Sequence, residues 1–539
     1  MSTPTGLLAH NTELREMDRH RSTNVLFVVL DTVRKDHLTP YGHDRPTTPE
    51  LSAVAEEGTV FESAVAPAPW TLPVHASMFT GLYPSQHGAD QGSPYLDNTA
   101  TLASVLSAAG YDTACYSSNA WITPYTELTR GFDEQDSFFE VLPGDRFSGP
   151  LTRAWRLVND NDRLNELARR IVRVGAAAHA RLASGEGADS KTPAVIDRTK
   201  SFIEKSESER GWFAFINLMD AHLPYYPPEE HRERFAPGVD PSELCQNSKE
   251  YNSGARDIDG EEWEAIRGLY DGEIAHMDAQ VGRLFEWLRE TGQWEETVVI
   301  VCSDHGELHG EHDLYGHEFA LYDELINVPL VIKHPDLEPG RREDLVELLD
   351  LYHTTLDALG VDPVDTTEAV EFDPTRSLLS SEYRAFDRAE NPDPGQRAVL
   401  GGDEAGDRDG EDYAFVEYAQ PVIELHHLEE KASKAGITLP EDHRAYARMR
   451  AVQGTDAKYI RADRIPDEGY RLDTDPRERS PVAPENDEAV AAAERALGRF
   501  ETAVGGAWTA PAEGSEGLDA LADADEETRD RLRELGYLE

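Results

Sequence analysis

The chain has 539 residues, with 104 acidic against 51 basic side chains and a formal net charge of −53. Only nine of the basic residues are Lys. A surface so rich in carboxylate repels nucleic acid and anionic membranes, which excludes both as partners. Its self-repulsion is relieved by salt, so the composition reads as that of a protein from a very salty cytoplasm. The three cysteines, Cys115, Cys245 and Cys302, form no CxxC pair. That excludes a disulfide framework and a Cys-type zinc site. The N-terminal stretch MSTPTGLLAHNTELREMD has no basic region ahead of a long apolar run. No segment reaches the roughly 18 apolar residues of a membrane span. The cytoplasm is therefore the expected location.

After an N-terminal extension (1–23), NVLFVVLD (24–31) is the first strand-like run. PELSAVAEEG and ATLASVLSAAGY each read as a helix ending near Gly, and TLPVHASMFTG reads as a helix with Thr71 near its N-cap. YDTACYSS (111–118) is the second strand. Residues 140–195, rich in Arg and Ala, read as a helical insertion. WFAFINLMD (212–220) is a strand. In 262–290 the apolar residues Ile266, Tyr270, Ile274, Met277, Val281, Leu284 and Leu288 step by three and four, as on one face of a helix. TVVIVCSD (297–304) and NVPLVIK (327–333) complete the strands. All five runs are short, and all but YDTACYSS are rich in Val, Ile or Phe, which predicts buried parallel strands. Strands alternating with helices imply a three-layer α/β unit over 24–360 with a mostly parallel sheet. An acidic variable segment follows (361–412). AFVEYA, MRAVQGTDAKYIRA and GYRLDTDP then suggest a small antiparallel subdomain (413–480), and a helical tail (481–539) closes the chain.

In open α/β sheets the chemistry sits beyond the carboxyl ends of the strands. The residues there are Asp31, Thr32 and Arg34; Ser118 and Asn119; Asp220 and His222; and Asp304 and His305. Two Asp with His predict a hard-to-borderline divalent metal site. A single strand-end Asp is ordinarily a helix cap, and a loop His such as His309 or His312 ordinarily only solvated. The adjacent Asp304-His305 pair is harder to explain that way. Asp220, His309, His312 and His317 could supply a second ion. Thr71 has two compatible readings. It could cap a helix, or it could be a nucleophile at a helix N-terminus that gathers anions.

These motifs resemble the sulfatase family of the alkaline phosphatase superfamily. NVLFVVLDTVRKDHLTPYG resembles its first strand with a metal-binding Asp, and TPELSAVAEEGTVFESAVA the next helix and strand. TLPVHASMFTG overlays Cys-x-Pro-x-Arg followed by Thr-Gly. SDHGELHGEHDLYGH resembles the second metal segment, and MDAHLPYYPP the His-x-Pro substrate segment. The resemblance implies a three-layer core plus a smaller C-terminal α+β subdomain. It implies one divalent ion (Ca, Mn or Mg, with Zn possible) on Asp31, Asp304, His305 and Thr71, with a second ion possible. Thr71 would be the nucleophile, with His75, His222 and His317 as catalytic partners and Asn119 and Arg34 on the substrate. His317 stands where many sulfatases have Lys, His75 at the motif Arg, and Thr32 at the second Asp of the usual pair.

The nucleophile position is Thr71 in place of Cys or Ser. Oxidising Thr gives a ketone, so no formylglycine is expected. The expectation is an ester hydrolase acting on a small-molecule or glycan- or lipid-linked anionic ester, phosphate ahead of sulfate. The alternatives are a phospho-head-group transferase, a sulfatase proper, and a non-catalytic binding protein.

Overall fold

The protein is described from a computed structural model, covering residues 24–90, 93–96, 99–136, 190–335, 337–363, 369–380, 383, 412–419 and 421–505. Its centre is an eight-stranded sheet. In chain order the strands are β1 (Asn24–Leu30), β2 (Thr59–Val65), β3 (Asp112–Ser117), β4 (Glu134–Asp136), β5 (Trp212–Leu218) and β6 (Thr297–Cys302). After a two-residue hairpin, β7 (Leu308–His309) and β8 (Tyr315–Gly316), come β9 (Asn327–Lys333) and β10 (Gly340–Glu347). The order across the sheet is β10-β2-β9-β6-β1-β5-β3-β4.

Period-two alternation divides the strands between two helical layers. Val25, Phe27 and Val29 face the layer of α2 (Thr71–Thr80). Leu26, Val28 and Leu30 face the other layer. That layer holds α1 (Pro49–Glu57), α4 (Thr192–Lys205) and the long α5 (Gly260–Glu290). Also facing the core are α3 (Leu102–Ala108), beside α2, and α6 (Asp350–Leu359). Because both faces are covered, every residue of β1, β5 and β6 is buried.

Several findings differ from the sequence reading. NVPLVIK is a strand, but it runs antiparallel to both neighbours, β2 and β6. A buried antiparallel strand is as continuously apolar as a parallel one, so its direction is not written in its residues. The strand β10, GRREDLVE, was not anticipated. It is an edge strand whose first half is mostly exposed and charged, as suits an edge that must not pair with another chain.

The C-terminal strands fall as expected. β11 (Ala414–Tyr418), β12 (Met449–Gln453), β13 (Ala457–Ala462) and β14 (Glu468–Arg471) form an antiparallel sheet. An unanticipated helix, α7 (Val422–Lys434), follows β11. The helix α8 (Glu488–Ala503) packs on the sheet, with Phe500 stacked on Phe415 at 4.3 Å. Most of the predicted insertion at 140–195, most of 361–412, the extension 1–23 and the part of the tail after residue 505 lie outside the described residues.

Phe215 on β5 is fully buried against Phe27, Phe79 and His75. Phe215→Ala should cost about 3–5 kcal/mol, read as a fall in the denaturant midpoint.

Candidate active site

The strand ends bring the predicted ligands together. Asp31 follows β1 and Asp304 lies two residues past β6, on adjacent parallel strands. Both side chains are fully buried. At Thr32 the backbone enters the left-handed region (φ 58°), an unfavourable conformation for a β-branched residue. The turn is useful. It aims the Thr32 N–H at Asp304 Oδ1 (3.2 Å), while the Thr32 hydroxyl donates to the Asp31 carbonyl (2.7 Å). The His305 N–H also donates to Asp304 Oδ1, at 3.0 Å.

Each carboxylate has one satisfied oxygen and one that is not. Asp31 Oδ2 accepts from Asn119 Nδ2 (2.7 Å) and Asn217 Nδ2 (3.1 Å). Asp31 Oδ1 and Asp304 Oδ2 are buried without a hydrogen-bond partner. His305 donates Nδ1–H to the Gly306 carbonyl (3.0 Å), which turns its Nε2 lone pair toward Asp304 Oδ2 at 3.5 Å. Gly306 is required there, since a Cβ would lie 1.9 Å from the Glu324 carbonyl oxygen. One ligand atom from each of Asp31, Asp304 and His305 lies within 4.8 Å of the others. Unpartnered carboxylate oxygens facing an imidazole lone pair are unfavourable alone and suit a divalent cation between them. The donor set fits the metal that the resemblance implies.

Thr71 is the first residue of α2, not its cap. The cap position is Trp70, and no side chain caps the helix. The capping reading therefore fails, and the hydroxyl faces the site. Thr71 Oγ1 lies 3.4 Å from His305 Nε2 and accepts from Asn119 Nδ2 at 3.3 Å. His75 is fully buried and donates Nδ1–H to the Thr71 carbonyl at 2.9 Å. Burial lowers its pKa to about 3, so it is neutral and holds the first turn of α2 rather than supplying charge.

His317 packs beside His305 with ring centroids 4.5 Å apart, and His222 lies 5.4 Å from His317. Arg34 is not at the site. Its guanidinium binds Asp36, Glu311 and the Glu307 carbonyl, and it lines a separate polar cavity of about 1090 Å³. The other second-ion candidates are also dispersed. Asp220 binds Ser190 and Thr192, His309 binds the Tyr225 hydroxyl, and His312 stacks on Tyr322. A second cluster, His37, His43 and Asp271, was not anticipated. There Arg45 already donates to Asp271 at 2.6 Å, which makes it an ion-pair node.

Two further site residues were not anticipated. Asn217 holds Asp31 and reaches His75 Nε2 at 3.5 Å. Its signal was a lone amide inside the apolar run WFAFINL. Glu307 is fully buried, 3.1 Å from His317 Nδ1 and within reach of the Tyr225 hydroxyl. It orients the imidazole.

Burial, with the charge of Asp304, raises the Asp31 carboxyl to about 6. Burial raises Asp304 to about 7, against the N–H groups of Thr32 and His305. Without metal the folded protein thus holds protons that the unfolded chain has already released. These two groups therefore cost the metal-free fold stability progressively as pH rises from the ordinary carboxylate value of 3.8 to about 6 for Asp31 and about 7 for Asp304. A divalent ion displaces those protons, so its stabilising effect grows over the same interval. Added Mn²⁺ or Ca²⁺ should raise the thermal midpoint more at about pH 8 than at about pH 5. In Asp304→Asn that pH-dependent part should shrink, as calorimetry would read.

Comparison with known proteins agrees with this geometry. A model of the sulfatase family matches residues 23–361. An arylsulfatase of Clostridium perfringens is 23% identical over 399 residues, covering 68% of this chain and 81% of its own. A multifunctional alkaline phosphatase superfamily protein of Trinickia caryophylli is 28% identical over 382 residues, covering 62% and 74%. A phosphonate monoester hydrolase of Agrobacterium radiobacter shares the fold with a TM-score of 0.59 at 22% identity, over 89% of this chain and 96% of its own. The chain belongs to the sulfatase family of the alkaline phosphatase superfamily, a family of ester hydrolases.

Proposed function

We propose that the protein is a metal-dependent hydrolase of phosphorus esters with Thr71 as nucleophile, and that residues 24–360 carry the chemistry. One observation carries this reading. The Thr71 hydroxyl is not used as a cap and lies 3.4 Å from His305 Nε2, beside two carboxylates with unpartnered oxygens. A divalent ion held by Asp31, Asp304 and His305 supplies Lewis acidity, which favours the ionised hydroxyl and spreads the charge of the transferring group.

The chain's own residues do the rest. The first-turn N–H groups of α2 point toward an anion bound ahead of Thr71. Asn119 Nδ2 donates toward the nucleophile and limits where the ester oxygens can sit. In the first step the Thr71 hydroxyl releases its proton to solvent, and a bond forms between Oγ1 and phosphorus as the bond to the alcohol oxygen breaks. His317, oriented by Glu307, or its neighbour His222 gives the departing oxygen a hydrogen bond or a proton. Water then attacks phosphorus and frees Thr71.

The methyl group of Thr favours phosphorus over sulfur. A formylglycine hydrate can expel sulfate by reforming its carbonyl, and a Thr ester cannot. Release then requires attack at the central atom, which is easier at phosphorus. Relatives with this fold include enzymes named for sulfate esters and for phosphonate monoesters, so both central atoms are within its reach.

Thr71→Ala should lower turnover of phosphodiesters, phosphonate monoesters and aryl sulfates by about a hundredfold or more. Turnover of any of them at the original rate would remove Thr71 as its nucleophile.

We further propose that the protein works in a very salty cytoplasm, a reading supported by the net charge and the scarcity of Lys. No helix among the described residues is long and apolar enough to cross a membrane. Its thermal midpoint should rise steadily from roughly 0.1 to 2 M KCl, as screening removes self-repulsion. A flat profile would contradict the proposal.

A further inference from the structure

Asn217 is a fully buried amide inside the otherwise apolar strand β5. The Ser117 hydroxyl accepts from the Asn119 N–H at 2.9 Å and donates to Asn217 Oδ1 at 3.1 Å. That bond fixes the amide, so its Nδ2 is the end that faces Asp31. Nδ2 donates to Asp31 Oδ2 at 3.1 Å and lies 3.5 Å from His75 Nε2. Asn119 is oriented as firmly. The Trp121 N–H donates to its Oδ1 at 2.8 Å, which turns its Nδ2 toward the same Asp31 oxygen at 2.7 Å. Two amides thus occupy both lone pairs of Asp31 Oδ2. Two backbone N–H groups, from Thr32 and His305, occupy Asp304 Oδ1 in the same way.

This bears on which ion the centre holds. Ca²⁺ takes about six to eight oxygen ligands, and carboxylates that bind through both oxygens help it reach that number. Here each carboxylate has one oxygen already spent on N–H donors, and the third donor is an imidazole nitrogen. Three single donor atoms, one of them nitrogen, suit a six-coordinate transition ion better than Ca²⁺. We propose that Asn217 is a positioning residue for ion choice. With Asn119 it confines Asp31 to one metal-binding oxygen, and the centre thereby favours an ion such as Mn²⁺ over Ca²⁺. The same amide reaches His75, which braces the helix turn that carries Thr71. The inference rests on the proposed metal centre and not on Thr71 as nucleophile.

Calorimetric Kd values for Mn²⁺ and for Ca²⁺, measured on the metal-stripped full chain, test this without turnover. The unaltered protein should bind Mn²⁺ more tightly by about tenfold or more. Asn217→Leu keeps the bulk of the side chain and frees one lone pair of Asp31 Oδ2. Its Mn²⁺ Kd should rise by about 10–100-fold. Ca²⁺ should weaken less, so that the preference for Mn²⁺ falls by about tenfold. Ser117→Ala removes only the hydroxyl that orients the amide, and should move the ratio the same way by a smaller factor. A merely structural asparagine would weaken both ions alike, so an unchanged ratio in both variants overturns the proposal. If Asn217→Leu does not fold, Ser117→Ala alone decides. Tighter binding of Ca²⁺ than of Mn²⁺ by the unaltered protein also overturns it, and leaves the hydrolase reading standing. Binding of neither ion defeats metal dependence and this inference together. Normal turnover by Thr71→Ala defeats the nucleophile assignment, while a Kd ratio that shifts as expected still supports ion choice by Asn217.

Discussion

Two carboxylates that cannot both be charged and dry govern this protein. Asp31 and Asp304 are buried side by side at the ends of neighbouring strands, each with one oxygen left without a partner. The surrounding residues act on that problem. Asn119 and Asn217 hold the outer oxygen of Asp31, and a left-handed turn at Thr32 brings an N–H to Asp304. Gly306 fixes the ring of His305 so that it offers a lone pair rather than a proton. Such a pair is costly in an empty fold and favourable around a cation. The strain at Thr32 is sustained because it serves the same pair.

Much of this arrangement is legible in the residues, for a physical reason. A strand buried on both faces must be apolar to its end, so the first polar residue after it stands out. Asp31, Asn119, His222 and Asp304 with His305 were all found that way, and the structure brings them round one centre. Arg34 obeyed the same rule and went elsewhere. Its long side chain reaches Asp36 and Glu311, and position after a strand does not fix where a flexible side chain points. Glu307 was hidden in a loop full of polar residues, where only burial distinguishes it. The direction of β9 was hidden because pairing direction depends on the chain path, not on hydropathy. The edge strand β10 was hidden because its charges mask the alternation that identifies strands.

The family pattern would place fixed cations beside the reacting group, and here neutral or weakly basic imidazoles stand in their place. His75 is the clearer case. Its ring is sealed between Phe79 and Phe215, hydrogen-bonded to the Thr71 carbonyl, and kept neutral by burial. It acts as a brace for the helix turn that carries Thr71, the proposed nucleophile. Positive charge at the reacting centre must then come mainly from a bound ion and from oriented N–H groups. In the proposed mechanism, affinity for ester anions then depends on metal loading.

The place of β1 in the sheet has a consequence for how the chain is made. It is a central strand, yet its partners are β5 and β6, and its first contact with β5 joins residues 188 positions apart. At about 5–20 residues per second, the apolar run NVLFVVL waits roughly 10–40 s after synthesis for that partner, and longer for β6. During that time it is an unpaired hydrophobic strand. The nascent chain must be shielded through that interval, and the cluster of Asp31, Asp304 and His305 cannot form until its end. Asp31 is thus made long before Asp304 and His305, with which it forms the site.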